Sequence, residues 1–341
     1  MNNTIQPQAS PPISCAVVLL NWNGSALLRQ LLPTLIEHTP EADLWVVDNA
    51  STDHSLEIIA QHPQIHLLRI NENLGYAGGY NHALQHIEAE YLVLLNTDVE
   101  VTPSWLDAPL AMMQSDPTIA AVQPKILDYY RRTHYEYAGA AGGMIDRWGY
   151  PYCRGRIRSK IEENNGSLDQ PTEIFWASGA ALFIRRTAFI EAGGFDASLF
   201  AHQEEIDLCW RLQLLGYSIR YTPHSTVYHM GGATLQSTSP QKTYLNFRNN
   251  RAILRKNLPP NEARTILPIR WTLDILASIV YLLQGKTSLA RAVWRALRDA
   301  QSLVHTTPPT PRRPLHALKG TSTHTILLAP PHKLYPTTTN H

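Results

Sequence analysis

Little in this chain suits an extracellular or nucleic-acid-binding protein. Only three cysteines occur among 341 residues, and Cys15, Cys153 and Cys209 are far apart and odd in number. That excludes a disulfide framework and a cysteine metal cage, and a reducing cytoplasm fits best. An excess of either charge is also lacking: the formal net charge is +1, so nothing draws the chain to nucleic acid. Residues 1–12 are polar, with three prolines and no basic residue, and read as a flexible segment rather than a secretory leader. No run approaches the ~20 apolar residues that span a bilayer.

What is present is an apolar content of 44%, enough for a sizeable core. Up to residue 98 the chain alternates strand and helix patterns. Residues 15–20 form a continuous apolar run, as in a strand buried on both faces. Ser25 can cap a helix with Leu27, Leu28, Leu31, Leu32, Leu35 and Ile36 inward, and Pro33 within it allows a kink or an early break. Residues 44–47 read as a second strand ending at Asp48. Asp53 can cap the next helix, 65–70 reads as a third strand, 78–88 as a helix and 91–95 as a fourth strand. Such alternation with short links implies a mainly parallel central sheet flanked by helices on both faces.

Ligands bind beyond the carboxyl ends of the strands in such sheets. The polar residues there are Asn21 and Asn23, Asp48 and Asn49, Asn71 and Asn73, and Asn96 and Asp98. Any one of them could be an ordinary turn former; four strand ends in a row favour a site. The run 73–81 is rich in glycine, which lets a backbone approach a ligand closely, and the helix start that follows offers N–H groups to a phosphate. It is not the Gly-x-Gly-x-x-Gly fingerprint after a first strand, so a dehydrogenase is disfavoured. From 128 to 170 the pattern weakens into loops and short strands.

Downstream lies the acidic run Glu204-Glu205-Ile206-Asp207. Read as a helix over 203–211, it lets Asp207 pair with Arg211 four residues on and puts Glu205 on another face. The bland reading is that both glutamates merely complement a helix N-terminus. Residues 243–305 are mostly helical by periodicity. Apolar 271–283, interrupted by Asp274, and Arg291, Arg295 and Arg298 beside Val293, Trp294 and Leu297 read either as a membrane-surface element or as a packed appendage. After His305 the chain is rich in Pro, Thr and His and is expected to be disordered.

The ordered set Val17-Val18-Leu19-Leu20-Asn21-Trp22-Asn23-Gly24, Val46-Val47-Asp48-Asn49, Asn73-Leu74-Gly75-Tyr76-Ala77-Gly78-Gly79-Tyr80-Asn81, Leu94-Leu95-Asn96-Thr97-Asp98, Gly193-Gly194-Phe195-Asp196 and Glu204-Glu205-Ile206-Asp207-Leu208-Cys209-Trp210-Arg211 resembles family 2 glycosyltransferases of the GT-A fold, in the rhamnosyltransferase-like branch. The segments Tyr228-His229-Met230-Gly231-Gly232 and 244–250 look like the same branch. The resemblance covers roughly residues 13–255.

It implies an inverting transfer of a sugar, with rhamnose one possibility, from a nucleotide-diphosphate donor to a glycan or lipid-linked acceptor in surface polysaccharide synthesis. It implies a nucleotide-sugar site at Asn21, Asn23, Asp48, Asn73, Gly75, Gly79, Asn81 and Asn96. Asp98 matches the last acid of the family's Asp-x-Asp element, which holds Mg²⁺ or Mn²⁺ against the diphosphate; Asn96 stands where the first acid is expected, and His229 could add a ligand. Glu205 matches the catalytic base, with Glu204 the rival. Trp176 and Gly179 match the stretch beside the acceptor, although a core tryptophan is an equally good reading.

The organisation implied is a flexible segment at 1–12, a nucleotide-sugar-binding part at 13–127, an acceptor-binding and catalytic part at 128–242, amphipathic helices at 243–305 and the tail at 306–341. The protein is expected in the cytoplasm, with peripheral contact to the inner face of the cell membrane and no nucleic-acid partner. Two other readings compete. A sugar nucleotidyltransferase would want a basic, glycine-rich loop after the first strand, and Asn21-Trp22-Asn23-Gly24 has no basic residue. A non-catalytic, membrane-associated glycan-binding protein would not need Asp48, Asp98 and Glu205 together.

Overall fold

A computed structural model describes residues 14–157, 160–231, 239–327 and Leu334. The 1–12 segment, Gly232 and most of the last fourteen residues therefore lie outside the described residues. The first half is built from β1 (Cys15–Asn21), α1 (Ser25–Glu37), β2 (Asp43–Asn49), α2 (Ser55–Ile59), β3 (His66–Ile70), α3 (Gly75–Ala83), β4 (Tyr91–Leu95), β5 (Val99–Val101), α4 (Asp107–Ser115) and β6 (Ile119–Asp128). Next come β7 (Gly143–Asp146), β8 (Pro151–Cys153), β9 (Arg156–Ile157), β10 (Lys160–Ile161), β11 (Thr172–Glu173), β12 (Ala181–Arg185), α5 (Arg186–Glu191), α6 (Glu204–Leu214) and β13 (Ser218–His229). The chain closes with α7 (Pro240–Asn257), α8 (Pro260–Leu283), α9 (Thr287–Asp299) and β14 (Thr321–Ser322).

The central sheet runs β11-β13-β6-β12-β4-β1-β2-β3. Strands β4, β1, β2 and β3 pair in parallel, as their short helical crossovers require. β12 inserts antiparallel between β4 and β6, and β13 runs parallel to β6. Alternation along β1 divides its side chains between two cores: Ala16 and Val18 pack on one face of the sheet, Cys15, Val17 and Leu19 on the other. A second, smaller sheet has the order β10-β9-β8-β7-β14. The expected mainly parallel sheet, flanked by helices and followed by a C-terminal helical extension, is present.

Local chemistry moved several boundaries. Ser25 does not cap α1; its N–H is bonded instead to Asp53 Oδ2 at 2.9 Å, so the turn after β2 holds the start of α1. The helix runs on through Pro33 to Glu37. α3 starts at Gly75, earlier than expected, because Asn73 Oδ1 accepts the Gly75 N–H at 2.8 Å and Gly75 takes a φ of 70°.

Two expectations about the C-terminal part are corrected. The tail is not disordered over 306–327: β14 pairs with β7, and Leu315, Leu318, Ile326 and Leu334 join the main core. Its composition hid four well-spaced apolar residues and a buried receptor for its backbone, since Asp146 Oδ2 accepts from Thr325 Oγ1 at 2.8 Å and Ile326 N at 3.1 Å. Nor does the chain lack a long apolar element. The 24-residue α8 is long and apolar enough, by length and composition, to cross a membrane. Asp274 does not interrupt its outer surface, because Asp274 turns inward beside Arg270, 3.8 Å away, with Ser278 buried one turn on.

Candidate active site

The carboxyl ends of β1 and β2 meet at one polar knot. Asn21, last in β1, donates to Asp48 Oδ1 at 3.2 Å and to Ser51 Oγ at 3.1 Å, and its own Oδ1 is buried without a hydrogen bond. Asp48 also accepts from the Ser51 N–H. Exposed Asn23, in a left-handed conformation at φ 53°, accepts from the Thr52 N–H at 2.7 Å. One strand over, Asn49 donates to Asn73 Oδ1 at 3.0 Å and accepts from Leu74 N, which fixes the entry to α3. The strand-end asparagines therefore tie together the turns that follow β1, β2 and β3.

Beside β4 the chain turns through Asn96 to Asp98 and into β5. β5 pairs antiparallel with β13, and the register sets His229 opposite Val99. That brings His229 Nε2 to 3.1 Å from Asp98 Oδ1, both side chains buried. Glu136, which no sequence pattern marked, lies 3.4 Å from the other ring nitrogen. The approach is an ion-pair contact only, since Nδ1 makes no hydrogen bond. Burial would lower the His229 pKa, but Glu136 and Asp98 outweigh it and push it up to about 10. Among the described residues no three His, Cys, Asp or Glu side chains converge as a metal cage. Asp98 Oδ1 and His229 Nε2 nonetheless face each other at the spacing of two neighbouring ligands on one ion, and partly exposed Asn96 stands two residues away. A carboxylate oxygen and an imidazole nitrogen, once a cation has displaced the Nε2 proton, fit a divalent ion whose remaining positions a diphosphate and water would fill.

The acidic end of α6 is placed by a strained approach. Phe200, His202 and Gln203 all have positive φ, between 64° and 71°, a conformation that costs each of them energy. Asn249 of α7 holds this loop by donating to the carbonyls of Leu199, Ala201 and His202. The loop delivers Glu204 and Glu205 with no basic partner among the described residues. Each has a buried Oε2 that makes no hydrogen bond, although Glu205 is partly exposed by area. Burial raises both pKa values; Glu204, which also feels the charge of Glu205, goes well above its ordinary value, and Glu205 rises to about 7. Asp207, one turn on, is the reverse. Its burial is outweighed by Arg211, at 2.8 Å, by Lys256, at 2.9 Å, and by Asn257, at 2.9 Å, so it is held low.

Tyr76, another residue that the sequence reading passed over, links the two ends. Its hydroxyl donates to the Gly179 carbonyl at 2.9 Å, and both glutamates bear on its ionisation. Gly179 precedes β12 at the edge of the crevice, next to Ala180, whose carbonyl accepts the Asn96 N–H. A Cβ on Gly179 would lie 2.7 Å from the Tyr76 oxygen. The signal for Tyr76 was its place inside the glycine-rich run; for Glu136 there was none.

Three expected site residues do other work. Trp176 is a core residue: it is 5% exposed, its ring covers Gly143, and its N–H is spent on the Met144 carbonyl at 3.0 Å, so it offers no face to a sugar. Gly79 is closed off by Leu20, which would lie 2.7 Å from an added Cβ; its smallness lets α3 pack on β1. Asn81 clamps the Phe195 backbone with both ends of its amide, at 2.8 and 2.9 Å.

Comparison with known proteins bears on the family and the fold. The Glycosyl transferase family 2 model matches residues 16–193, more than half of the chain. The Mycobacterium tuberculosis protein named N-acetylglucosaminyl-diphospho-decaprenol L-rhamnosyltransferase is 25% identical over 304 residues, covering 83% of this chain and 96% of that one. A crystal structure of GalNAc-T7 with UDP, GalNAc and Mn²⁺ matches with a TM-score of 0.57 and 19% identity, over 74% of this chain and 49% of that one. This chain thus spans about half of that structure. The mannosyltransferase PcManGT from Pyrobaculum calidifontis, in complex with GDP-Man and Mn²⁺, matches with a TM-score of 0.53 and 17% identity, over 88% and 80% of the two chains. At these identities the solved structures speak for the GT-A fold.

Proposed function

Because the chain belongs to glycosyl transferase family 2, we propose that it is an inverting glycosyltransferase, moving a sugar from a nucleoside-diphosphate donor to a glycan or lipid-linked acceptor. The observation that carries this reading is the Asp98–His229 pair joined, through Asn96, Gly179 and Tyr76, to two glutamates that have no counter-ion among the described residues. Asp48 is suited to accept from a nucleobase N–H or a ribose hydroxyl, with Asn21 and Ser51 holding its carboxylate in place. Gly75 itself offers no free backbone, since its N–H goes to Asn73, its carbonyl to Asn49, and its missing Cβ makes room for Phe200. Asp98 and His229 are the residues that would hold Mg²⁺ or Mn²⁺, and the imidazole in this donor set favours Mn²⁺. Bound there, such an ion neutralises charge that develops on the departing diphosphate.

Glu205 acts as base. It takes the proton of the acceptor hydroxyl as that oxygen bonds to the anomeric carbon, while the bond from that carbon to the diphosphate oxygen breaks on the opposite face. Glu204, the more buried and the more strongly raised of the pair, keeps its proton, so the pair holds one negative charge and Glu205 carries it. Residues 13–127 then serve the donor, and residues 128–242 serve the acceptor while lending His229 to the donor's cation.

The lipid-linked acceptor is favoured by α8. Its inner row is polar, Arg270, Asp274 and Ser278, while Trp271, Leu276, Ile279, Val280 and Leu283 face out, Leu283 being 83% exposed. Trp294 on α9 is also exposed, among Arg291, Arg295 and Arg298. An apolar outer helix beside a helix with a basic exposed face rests on an anionic leaflet, here at the cytoplasmic face. The relative's name makes a polyprenyl-diphosphate-linked N-acetylglucosamine the first acceptor to try and nucleotide-activated rhamnose the first donor. A panel of nucleotide sugars, scored by release of nucleoside diphosphate and by product on this acceptor in anionic vesicles, tests the reading. Release and product with one donor support it; no transfer from any donor to that or any other glycan acceptor overturns it.

A further inference from the structure

The cation site has one acid fewer than its pattern asks for, because Asn96 stands where the first carboxylate would be. The missing charge is present in space, though not in the motif. Glu136 sits in the irregular segment after β6, where its N–H bonds the Ile126 carbonyl at 3.1 Å. Its side chain is 4% exposed. Oε2 accepts the Ala138 N–H at 2.5 Å and lies 3.4 Å from His229 Nδ1. Oε1 is closed in by Gly231, where an added Cβ would lie 3.1 Å away. Asp98 occupies the opposite edge of the same imidazole, 3.1 Å from Nε2. The ring therefore stands between two buried carboxylates, one at each nitrogen.

We propose that Glu136 is a positioning residue for the cation: its carboxylate, in ion-pair contact with Nδ1, favours the ring orientation that keeps Nε2 toward the site and supplies, through that ring, the negative charge that Asn96 lacks. This rests on the assignment of Asp98 and His229 as cation ligands. An imidazole that binds a metal through one nitrogen is oriented and made a stronger donor by a carboxylate at the other, and losing such a carboxylate weakens metal binding about 10–100-fold. Glu136 is built to act this way and not as a ligand itself. The Ala138 N–H fixes its inner oxygen, and the imidazole stands between it and Asp98.

The test reads cation binding without turnover. Free Mn²⁺ is titrated by electron paramagnetic resonance in the presence of UDP and, separately, of dTDP, with the intact chain. Wild type should bind Mn²⁺, and Asp98→Ala should not. Glu136→Gln, which keeps the size of the side chain and its acceptor oxygen, should bind about 10–100-fold more weakly. Adding Asn96→Asp to Glu136→Gln should restore at least a tenfold share of the loss, which no repair of mere structural damage would do. Glu136→Asp, charged but shorter, should fall between wild type and Glu136→Gln, with circular dichroism and melting reporting that each variant folds. If Asp98→Ala abolishes binding while Glu136→Gln binds like wild type, the proposal fails and the ligand assignment stands. If the double variant stays as weak as Glu136→Gln, the charge argument fails. Should wild type and Asp98→Ala bind Mn²⁺ equally, the ligand assignment fails and takes the proposal with it.

Discussion

Within the first turn of α6 the fold treats three carboxylates in two opposite ways. Asp207 is fully buried and completely answered: Arg211, Lys256 and Asn257 all donate to it, and Lys256 also ties it to Asp196, itself bonded by the Thr306 N–H and lying 2.7 Å from His305 Nδ1. Among the described residues Glu204 and Glu205 receive no cation, and each keeps a buried oxygen without a hydrogen bond. Burial alone would raise all three. Its outcome is decided by what stands opposite, so Asp207 stays low while the glutamates go up. A neutralised carboxylate is a structural rivet. An unanswered one at the edge of a crevice holds free energy available to a reaction.

If that division is real, breaking each side must give a different kind of damage. Glu205→Gln removes the base but not the shape. It should lower kcat for transfer by about 10²–10⁴ while donor affinity and melting temperature hardly move, as steady-state kinetics and calorimetry would read. Glu204→Gln should cost far less, since that side chain already holds the proton; if the two results are exchanged, the base is Glu204. On the neutralised side, Arg211→Met should destabilise the fold by about 3–5 kcal/mol. The substitution strips Asp207 of one cation and leaves the carbonyls of Ala192 and Gly194 without their guanidinium donor. Chemical denaturation would read the loss, and the fraction still folded should keep a near-normal kcat. A large kcat loss at unchanged stability would put Arg211 in the site and dissolve the contrast.

The distinction was half visible in the chain. Spacing alone puts Asp207 and Arg211 one turn apart and Glu205 elsewhere, and the pair is found at 2.8 Å. Strand ends were equally legible, because continuous apolar runs closed by Asn or Asp have few other solutions in a parallel sheet. Long-range partners were not. Lys256 and Asn257 reach Asp207 from α7, some fifty positions on, and Glu136 reaches His229 from a segment without periodicity. Trp176, Gly79 and Asn81 misled for the same reason: a motif says which residue stands at a position, while the neighbour that uses up its ring, its missing Cβ or its amide is set by tertiary packing. In α8 and the tail, composition was averaged over windows. One inward-facing Asp274 then disguised an apolar outer surface, and the surrounding prolines and threonines disguised four core residues and a short strand.

The mildest way to probe the contrast is to change pH and leave the sequence alone. The Glu205 pKa is raised from the ordinary glutamate value to about 7, burial being the main cause, and a base works only in its ionised form. The ionised fraction falls as pH drops through that value. At saturating donor and acceptor, kcat should be flat above about pH 8 and fall about tenfold per unit below the pKa. Asp207, held low by its cations, should contribute nothing to that slope, and folding should be unchanged across it. Stability follows the opposite rule for the two groups. A carboxyl raised in the folded state costs stability when it must ionise, so protonating Glu205 favours the fold. Asp207 contributes stability above the ordinary carboxylate pKa and loses it only as pH falls through its lowered value. Lowering pH from 8 to 6 should therefore depress turnover with no loss of melting temperature. A kcat that stays level down to pH 5, in a protein still folded, would mean that Glu205 is ionised as an ordinary surface glutamate is, and the difference between the two carboxylate sites would vanish.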